Sequence, residues 1–268
     1  MGYGITVNII SAGPDEAPML RELSFDLGPG DHAVITGASG SGKTTLLRIL
    51  AGLMQYRGRV GYINGSYLRR DEGEKAKDSS GTVSFTHRGK GAECRDNTIA
   101  PAELLEMGGI SVLFQENRLL PELSAIDNLR VALPADWLQK HGRSIDGDKE
   151  APDRYNDVTG LSKSDQKKLF RKLLAAELEQ ILPGVDLLKP VSQLSGGEQR
   201  RVALARALVQ DASVILLDEP FTGLDVASAE LVRQYISGNA EEKTLLLTEH
   251  EGEHFPEWKR IEITKEQP

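Results

Sequence analysis

Apolar and polar residues alternate over 4–10, where Ile5, Val7 and Ile9 share one face, and this period of two predicts a strand. A second strand is expected over 20–27, closed by Gly28-Pro29-Gly30 as a turn. His32-Ala33-Val34-Ile35-Thr36 is a short apolar run, the pattern of a buried strand. It leads into a glycine-rich stretch, 37–42, and then a helix from Lys43 to about Met54. Residues 59–63 and 110–114 predict two more strands. A short helix is expected over 123–133, stopped by Pro134. A longer one is expected over 164–182. Its Leu169, Phe170, Leu173, Leu174, Leu178, Ile181 and Leu182 recur at helical spacing, and Pro183-Gly184 ends it. A helix over 196–209, a buried strand over 214–217, a helix over 228–237 and a buried strand over 244–248 follow. Strands and helices alternate at both ends of the chain, which predicts an α/β fold around a parallel sheet. No internal repeat is evident.

Two stretches break the pattern. Residues 66–97 (with RRDEGEKAKDSSG and THRGKGAECRDN) and 139–165 (with KHGRSIDGDKEAPDRYND) are polar and poor in apolar residues. Both read as surface insertions. At 268 residues and 39% hydrophobic, the rest is long enough to bury a real core. No apolar run approaches the ~20 residues of a membrane-spanning helix. The opening MGYGITVNII lacks the basic, apolar and small-residue order of a secretory signal. Cys94 is the only cysteine, so no intrachain disulfide can form. The net charge of −8 argues against a non-specific nucleic-acid binder, and no nucleic-acid partner is expected. It leaves room for a small anion held by local backbone N–H groups and one lysine.

Such a site is visible. Residues 37–44 read GASGSGKT, which fits G-x-x-x-x-G-K-[ST] between a strand and a helix. Gly37, Gly40 and Gly42 allow a tight turn, so that the N–H groups from Ser39 through Ser41 to Thr45 face one anion. The helix N-terminus adds partial positive charge. Lys43 brings a full charge to the β and γ phosphates, and the Thr44 hydroxyl can ligate Mg²⁺.

The second half adds candidates. Val214-Ile215-Leu216-Leu217 ends in Asp218-Glu219-Pro220. Strand alternation sends adjacent side chains apart, so Asp218 can hold Mg²⁺ while Glu219 faces an attacking water. Alone, an acidic pair at a strand end also serves as a turn or helix cap. Ser195-Gly196-Gly197-Glu198 precedes a helix, with Ser195 as N-cap and two glycines baring the first-turn N–H groups. This is either an ordinary capped helix or a second, weaker anion site that two copies paired head to tail would complete. His250 follows the strand 244–248 at the carboxyl edge of the sheet, where ligands of open α/β sheets bind. It can contact the γ-phosphate or the water, although a lone histidine is more often structural. Gln115 has the same edge position and is a candidate contact to Mg²⁺ or water. Asp225 lies in the turn beyond the acidic pair.

The order GASGSGKTT, FQENRLLP, LSGGEQRR, VILLDEP, TGLD and TEH resembles the ATP-binding subunit of ABC transporters. The resemblance implies a P-loop NTPase-like, mostly parallel sheet with an antiparallel β subdomain and an inserted α-helical subdomain. It implies a single domain: 1–114 and 192–268 as RecA-like core with the β subdomain, and about 115–191 as helical subdomain. ATP and Mg²⁺ are the implied cofactors. Gly37, Ser39, Gly40, Ser41, Gly42, Lys43, Thr44 and Thr45 would hold the nucleotide. Ser195, Gly196 and Gly197 would close over the nucleotide of the opposing copy. Thr44, Gln115 and Asp218 would serve the metal, and Glu219, His250 and Gln115 catalysis, with Glu219 as base. Asp225 would lie at the dimer interface. The expected partners are a second copy or a homologous ATPase subunit, and membrane-spanning transporter subunits docked near 116–121. The expected location is cytoplasmic, peripheral on the inner face of the cell membrane.

The sequence also departs from that pattern. Where such families carry an adenine-stacking aromatic, Ser11-Ala12-Gly13-Pro14 holds none, and Tyr3 and Phe25 are the nearest. The stretch from Gln115 to Leu194 is longer than expected for compact importers, and only residues 251–268 follow His250, too few for a C-terminal regulatory domain. The cargo is not legible; FQENRLLP leans toward import, while LSGGEQRR also occurs in export and lipoprotein-release systems. A non-transport ABC ATPase, in assembly or repair, is the alternative. A non-hydrolysing nucleotide-binding regulator is disfavoured by Asp218, Glu219 and His250, and a phosphate-loop kinase leaves LSGGEQ without a role.

Overall fold

The computed structural model describes residues 2–14, 18–65, 98–141, 161–250 and 253–264. The polar stretch expected over 66–97, with Cys94, lies outside the described residues, as does most of that expected over 139–165. By contact the chain divides into two compact units. One comprises Met1–Gln115, Ala212–Pro220 and Ala240–Pro268; the other comprises Glu116–Asp211 and Phe221–Asn239.

The first unit contains two sheets. Strands β1 (Tyr3–Ala12), β2 (Leu20–Leu27), β4 (Tyr56–Asn64) and β5 (Thr98–Ile99) form an antiparallel sheet in the order β2-β1-β4-β5. In β1, Ile5, Val7 and Ile9 are buried on one face, as the alternation predicts. Strands β3 (His32–Thr36), β6 (Ile110–Leu113), β7 (Val214–Asp218), β8 (Thr244–Thr248) and β9 (Lys259–Glu262) form a parallel sheet in the order β6-β7-β8-β3-β9. Its central runs are fully enclosed: Ala33, Val34 and Ile35, Val214 to Leu217, and Leu245 to Leu247 are each 0% exposed. Each Val, Leu or Ile side chain among them contributes roughly 1.5–3 kcal/mol by leaving water, so these strands form a rigid base. Register pairs Ile35 with Thr248, Thr248 with Asp218, and Leu113 with Leu217. Strands β3, β6, β7 and β8 therefore release their following loops at one edge.

Helix α1 (Lys43–Leu50) follows β3 and is shorter than the 43–54 expected. Gly52, at φ 71, ends it. Gly52 N–H donates to Ile49 O at 2.9 Å and Leu53 N–H to Arg48 O at 2.8 Å, the paired bonds of a left-handed C-terminal motif. Helix α2 (Pro101–Glu106) and β9 have no counterpart in the sequence reading. In β9 only Ile261 is buried, so its KRIE carries no apolar run to detect.

The second unit is helical: α3 (Ala125–Arg130), α4 (Trp137–His141), α5 (Lys163–Glu179), α6 (Gly196–Leu208) and α7 (Val226–Asn239). Helix α3 is shorter than expected because Ser124 caps it, accepting from Asp127 N–H at 3.1 Å. Buried Asn128 bonds to Leu120 and to the carbonyls of Leu123 and Ser124, which holds the preceding chain in place. Helix α5 is capped by Ser162 and buries Leu173, Leu174 and Leu178. Helix α4 is anchored by Trp137, whose indole N–H donates to Val209 O at 3.1 Å and whose ring tilts against Phe170 at 5.3 Å.

Candidate functional site

In the first unit the turn after β3 forms an amide cradle. Gly37 adopts φ 150, and a Cβ there would sit 2.4 Å from Ile263 O and 2.7 Å from Ser41 Oγ, so only glycine fits. Helix α1 has Gly42 at its N-cap and no side chain accepting from its first-turn N–H groups. Those donors remain for an anion. Ser41 is 3% exposed, and its hydroxyl has no hydrogen-bond partner among the described residues. A buried orphan of this kind points to a ligand that the fold is built to receive. Lys43 is also buried and folds over the loop, donating to Gly37 O at 2.6 Å and Ala38 O at 3.1 Å. Its charge is thereby held against the main-chain carbonyls of the loop. Ser39 and Gly40 are exposed and Thr44 is half-buried. The Thr45 hydroxyl turns away, donating to Met19 Sδ at 3.4 Å.

The neighbouring strands bring carboxylates to the same edge. Asp218, the last residue of β7, is 2% exposed. The Thr248 hydroxyl donates to Asp218 Oδ1 at 2.8 Å and accepts from Glu219 N–H at 2.9 Å. One buried threonine thus fixes both acidic residues. Glu219 sits at φ 48, left-handed for a non-glycine residue. Such a conformation costs about 1–3 kcal/mol and is held by its surroundings. His250 Nε2 lies 3.6 Å from Glu219 Oε1, with the imidazole more exposed than the carboxylate. Gln115 is exposed just beyond β6 at the same edge. The unit therefore gathers residues 37–44, Gln115, Asp218, Glu219 and His250 along one side of its parallel sheet.

No three His, Cys, Asp or Glu side chains cluster as a metal cage among the described residues. The oxygens at this edge, from Thr44, Asp218 and Gln115, are hard ligands too few to cage an ion alone. That donor set fits Mg²⁺, which keeps waters and phosphate oxygens in its shell.

Ser195, Gly196, Gly197 and Asp225 lie in the helical unit. Ser195 Oγ accepts from Glu198 N–H at 3.2 Å, and Glu198 Oε2 accepts from Ser195 N–H at 2.7 Å. This reciprocal box fixes the entry to α6. The Ser195 N–H bond holds the Glu198 carboxyl below the usual range, with a smaller contribution from the Ser195 side chain. A Cβ on Gly196 would meet nothing within 4 Å, so this helix end is open. Asp225 caps α7, accepting from Ser228 N–H at 2.8 Å and from its hydroxyl at 3.2 Å, and these bonds lower its carboxyl pKa. Arg201 donates to the same hydroxyl.

Three contributors escaped the sequence reading. One is Thr248; its only signal was a polar residue closing an apolar strand. The others are Arg200, donating to Asn117 Oδ1 at 3.1 Å, and Arg206, donating to Arg118 O at 2.8 Å and Asn117 O at 2.9 Å. They tie the segment after Gln115 to α6 through main-chain and amide acceptors, which no motif encodes. Burial lowers the Arg206 pKa.

The ABC transporter family profile matches residues 20–222. The chain belongs to the ABC transporter family. It is an ABC ATPase domain of the ATP-binding type. The chain is 33% identical to the phosphonates import ATP-binding protein PhnC 2 of Nostoc sp., over 82% of this chain and 70% of that protein. It is 31% identical to the macrolide export ATP-binding/permease protein MacB of Chromobacterium violaceum, over 90% of this chain; it spans only 29% of that longer protein. A solved dimer of the ATP-binding cassette MJ0796, bound to ADP and Pi, superposes with a TM-score of 0.64 at 22% identity, covering 98% of this chain and 97% of that one. That likeness confirms the fold: a parallel sheet with an antiparallel sheet and helices. No helix among the described residues is long and apolar enough to cross a membrane.

Proposed function

We propose that this chain powers an ABC transporter by hydrolysing ATP between two head-to-tail copies docked beneath membrane-spanning partners. The observation that carries this reading is the shared sheet edge. The amide cradle with Lys43 stands on the same edge as Asp218, Glu219 and His250, and His250 reaches Glu219 at 3.6 Å.

In this reading the main-chain N–H groups of 39, 40 and 42–45 and the Lys43 ammonium bind the β and γ phosphates, while the Ser41 N–H closes the loop by donating to Ala38 O at 3.1 Å. Thr44 and Asp218 would hold Mg²⁺, with Gln115 beside them; when bound, the ion neutralises charge on the phosphate oxygens. Glu219 orients a water and accepts its proton as the water oxygen bonds to the γ-phosphorus. The bond between that phosphorus and the β–γ bridging oxygen breaks, releasing phosphate and ADP. His250 steadies Glu219 and the γ-phosphate oxygens. Ser195, Gly196 and Gly197 of the opposing copy present the open α6 N-terminus to the same γ-phosphate, excluding water. Asp225 would lie at that interface.

Residues 116–121, fastened by Arg200 and Arg206, form the docking surface for the membrane partners. The chain would then lie peripherally at the inner face of the membrane. Its cargo is chosen by those partners.

The test is Glu219→Gln with ATP and Mg²⁺. The expected result is intact nucleotide binding, lost phosphate release and a stable dimer on size-exclusion chromatography. Phosphate release near the native rate would remove Glu219 from the role of base.

A further inference from the structure

The carboxylate next to the catalytic candidate histidine has an unusual position. Glu249 follows β8 directly, and its main-chain N–H still donates to Ile35 O at 3.0 Å, in register with β3. Its side chain is only 7% exposed. Oε1 meets His254 Nδ1 at 3.1 Å, and Oε2 is buried with no partner among the described residues. Burial pushes its carboxyl pKa up, and the charge and hydrogen bonds of His254 oppose that shift.

Burying a carboxylate with one oxygen unpartnered among the described residues costs stability. A strand end needs no such group, since an apolar residue of similar volume is usually neutral or better there. The carboxylate therefore stands where stability alone would not put it. His250 is the residue that benefits. It lies between the two clasped residues in sequence and is itself exposed.

The far side of the clasp is firmly anchored. Phe255, next to His254, is 0% exposed and stacks on Trp258 at 3.9 Å. Trp258 in turn tilts against His32 at 4.8 Å, and His32 Nε2 meets Ala240 O at 3.1 Å. His32 opens β3, the strand that leads into the phosphate loop. Both ends of the segment bearing His250 are thus fixed to the parallel sheet, one by main-chain bonds and one by aromatic packing, and the Glu249–His254 bond joins them.

We propose that Glu249 is a positioning residue, whose buried carboxylate clasps His254 and thereby holds His250 within reach of Glu219. It touches no reacting atom. The proposal rests on the reading of Glu219 and His250 as the hydrolytic pair. A misplaced His250 would leave nucleotide binding intact and slow the chemical step.

The test compares full-length native protein with Glu249→Leu, Glu249→Gln and His254→Ala. Phosphate release with ATP–Mg²⁺, nucleotide affinity and thermal midpoint are measured for each. Glu249→Leu is expected to keep its fold and its KM while kcat falls about tenfold. Glu249→Gln, which keeps the bond to His254, restores most of kcat. His254→Ala removes the imidazole and keeps the His254 main-chain bond to Glu249, so its kcat falls by less than that of Glu249→Leu, and the Glu249→Leu/His254→Ala double variant is no slower than Glu249→Leu. Unchanged kcat in folded Glu249→Leu overturns the proposal, as does unchanged kcat in His254→Ala if Glu249→Leu does not fold. A loss confined to KM also overturns it. Absence of phosphate release from the native protein would instead overturn the underlying hydrolytic reading.

Discussion

The Thr248 hydroxyl donates to Asp218 Oδ1 at 2.8 Å across paired strands, while accepting the N–H of Glu219 at 2.9 Å. Threonine at this point is the cross-brace of the acidic pair. Thr248→Val keeps the shape and removes both bonds. A buried carboxylate deprived of its donor costs about 1–3 kcal/mol, so urea unfolding should show a loss of that order. ATP turnover should fall further than stability explains, because Glu219 relies on the same oxygen to hold its strained backbone. Equal stability and equal turnover in the valine variant would deny the brace.

Lys43 tests the cradle. Lys43→Ala removes the buried ammonium that donates to the carbonyls of residues 37–38. A charge-assisted bond contributes about 1.5–3 kcal/mol, so ATP affinity should drop roughly tenfold to a hundredfold or more. Fluorescent-nucleotide titration measures it, and native affinity in the variant would contradict the assignment.

Strands 20–27, 32–36 and 244–248 were readable to the residue: Gly28-Pro29-Gly30 closes the first, Gly37 follows the second, and the apolar run of the third stops at Glu249-His250. The phosphate loop, the acidic pair and the capped Ser195 helix announced themselves because each is a local device, complete within a few neighbouring residues. What stayed hidden is relational. Strand β9 exists because it adds to β3, and its KRIE buries only Ile261. Thr248, Arg200 and Arg206 act on atoms far away in sequence, and Arg206 acts on two main-chain oxygens whose identity no side chain reveals. Glu249 was masked by its neighbour: TEH draws attention to the histidine, and burial alone exposes the glutamate.

The Ser195–Glu198 box gives a pH prediction. The Glu198 carboxyl is held below its ordinary value of 4.5, so its stabilisation is present above that value and is lost as pH falls through the lowered one. Asp225 behaves in the same direction at α7. Helical signal should therefore decline on acidification below pH 4.5, and Glu198→Gln should flatten that decline. An identical acid profile in the glutamine variant would contradict the linkage. Ser195→Ala should cost about 1 kcal/mol at neutral pH through the lost cap.

Arg206 offers a dynamic test. Arg206→Ala removes two main-chain anchors on Asn117 and Arg118. Hydrogen exchange of the amides over 116–120 should accelerate several-fold, with exchange in β7 and β8 unchanged. Unaltered exchange over 116–120 would mean that α6 does not hold this segment.

The most direct test of the account mixes two inactive chains. Lys43→Ala disables the cradle and leaves the Ser195 helix intact. Gly196→Asp places a negative charge at the open end of that helix, where an added Cβ meets no neighbour within 4 Å, and leaves the cradle intact. Each variant alone should release almost no phosphate from ATP–Mg²⁺. Mixed, they should regain turnover, because one head-to-tail pair unites the sound cradle of one copy with the sound helix of the other. A mixture no more active than its two components would contradict the paired site.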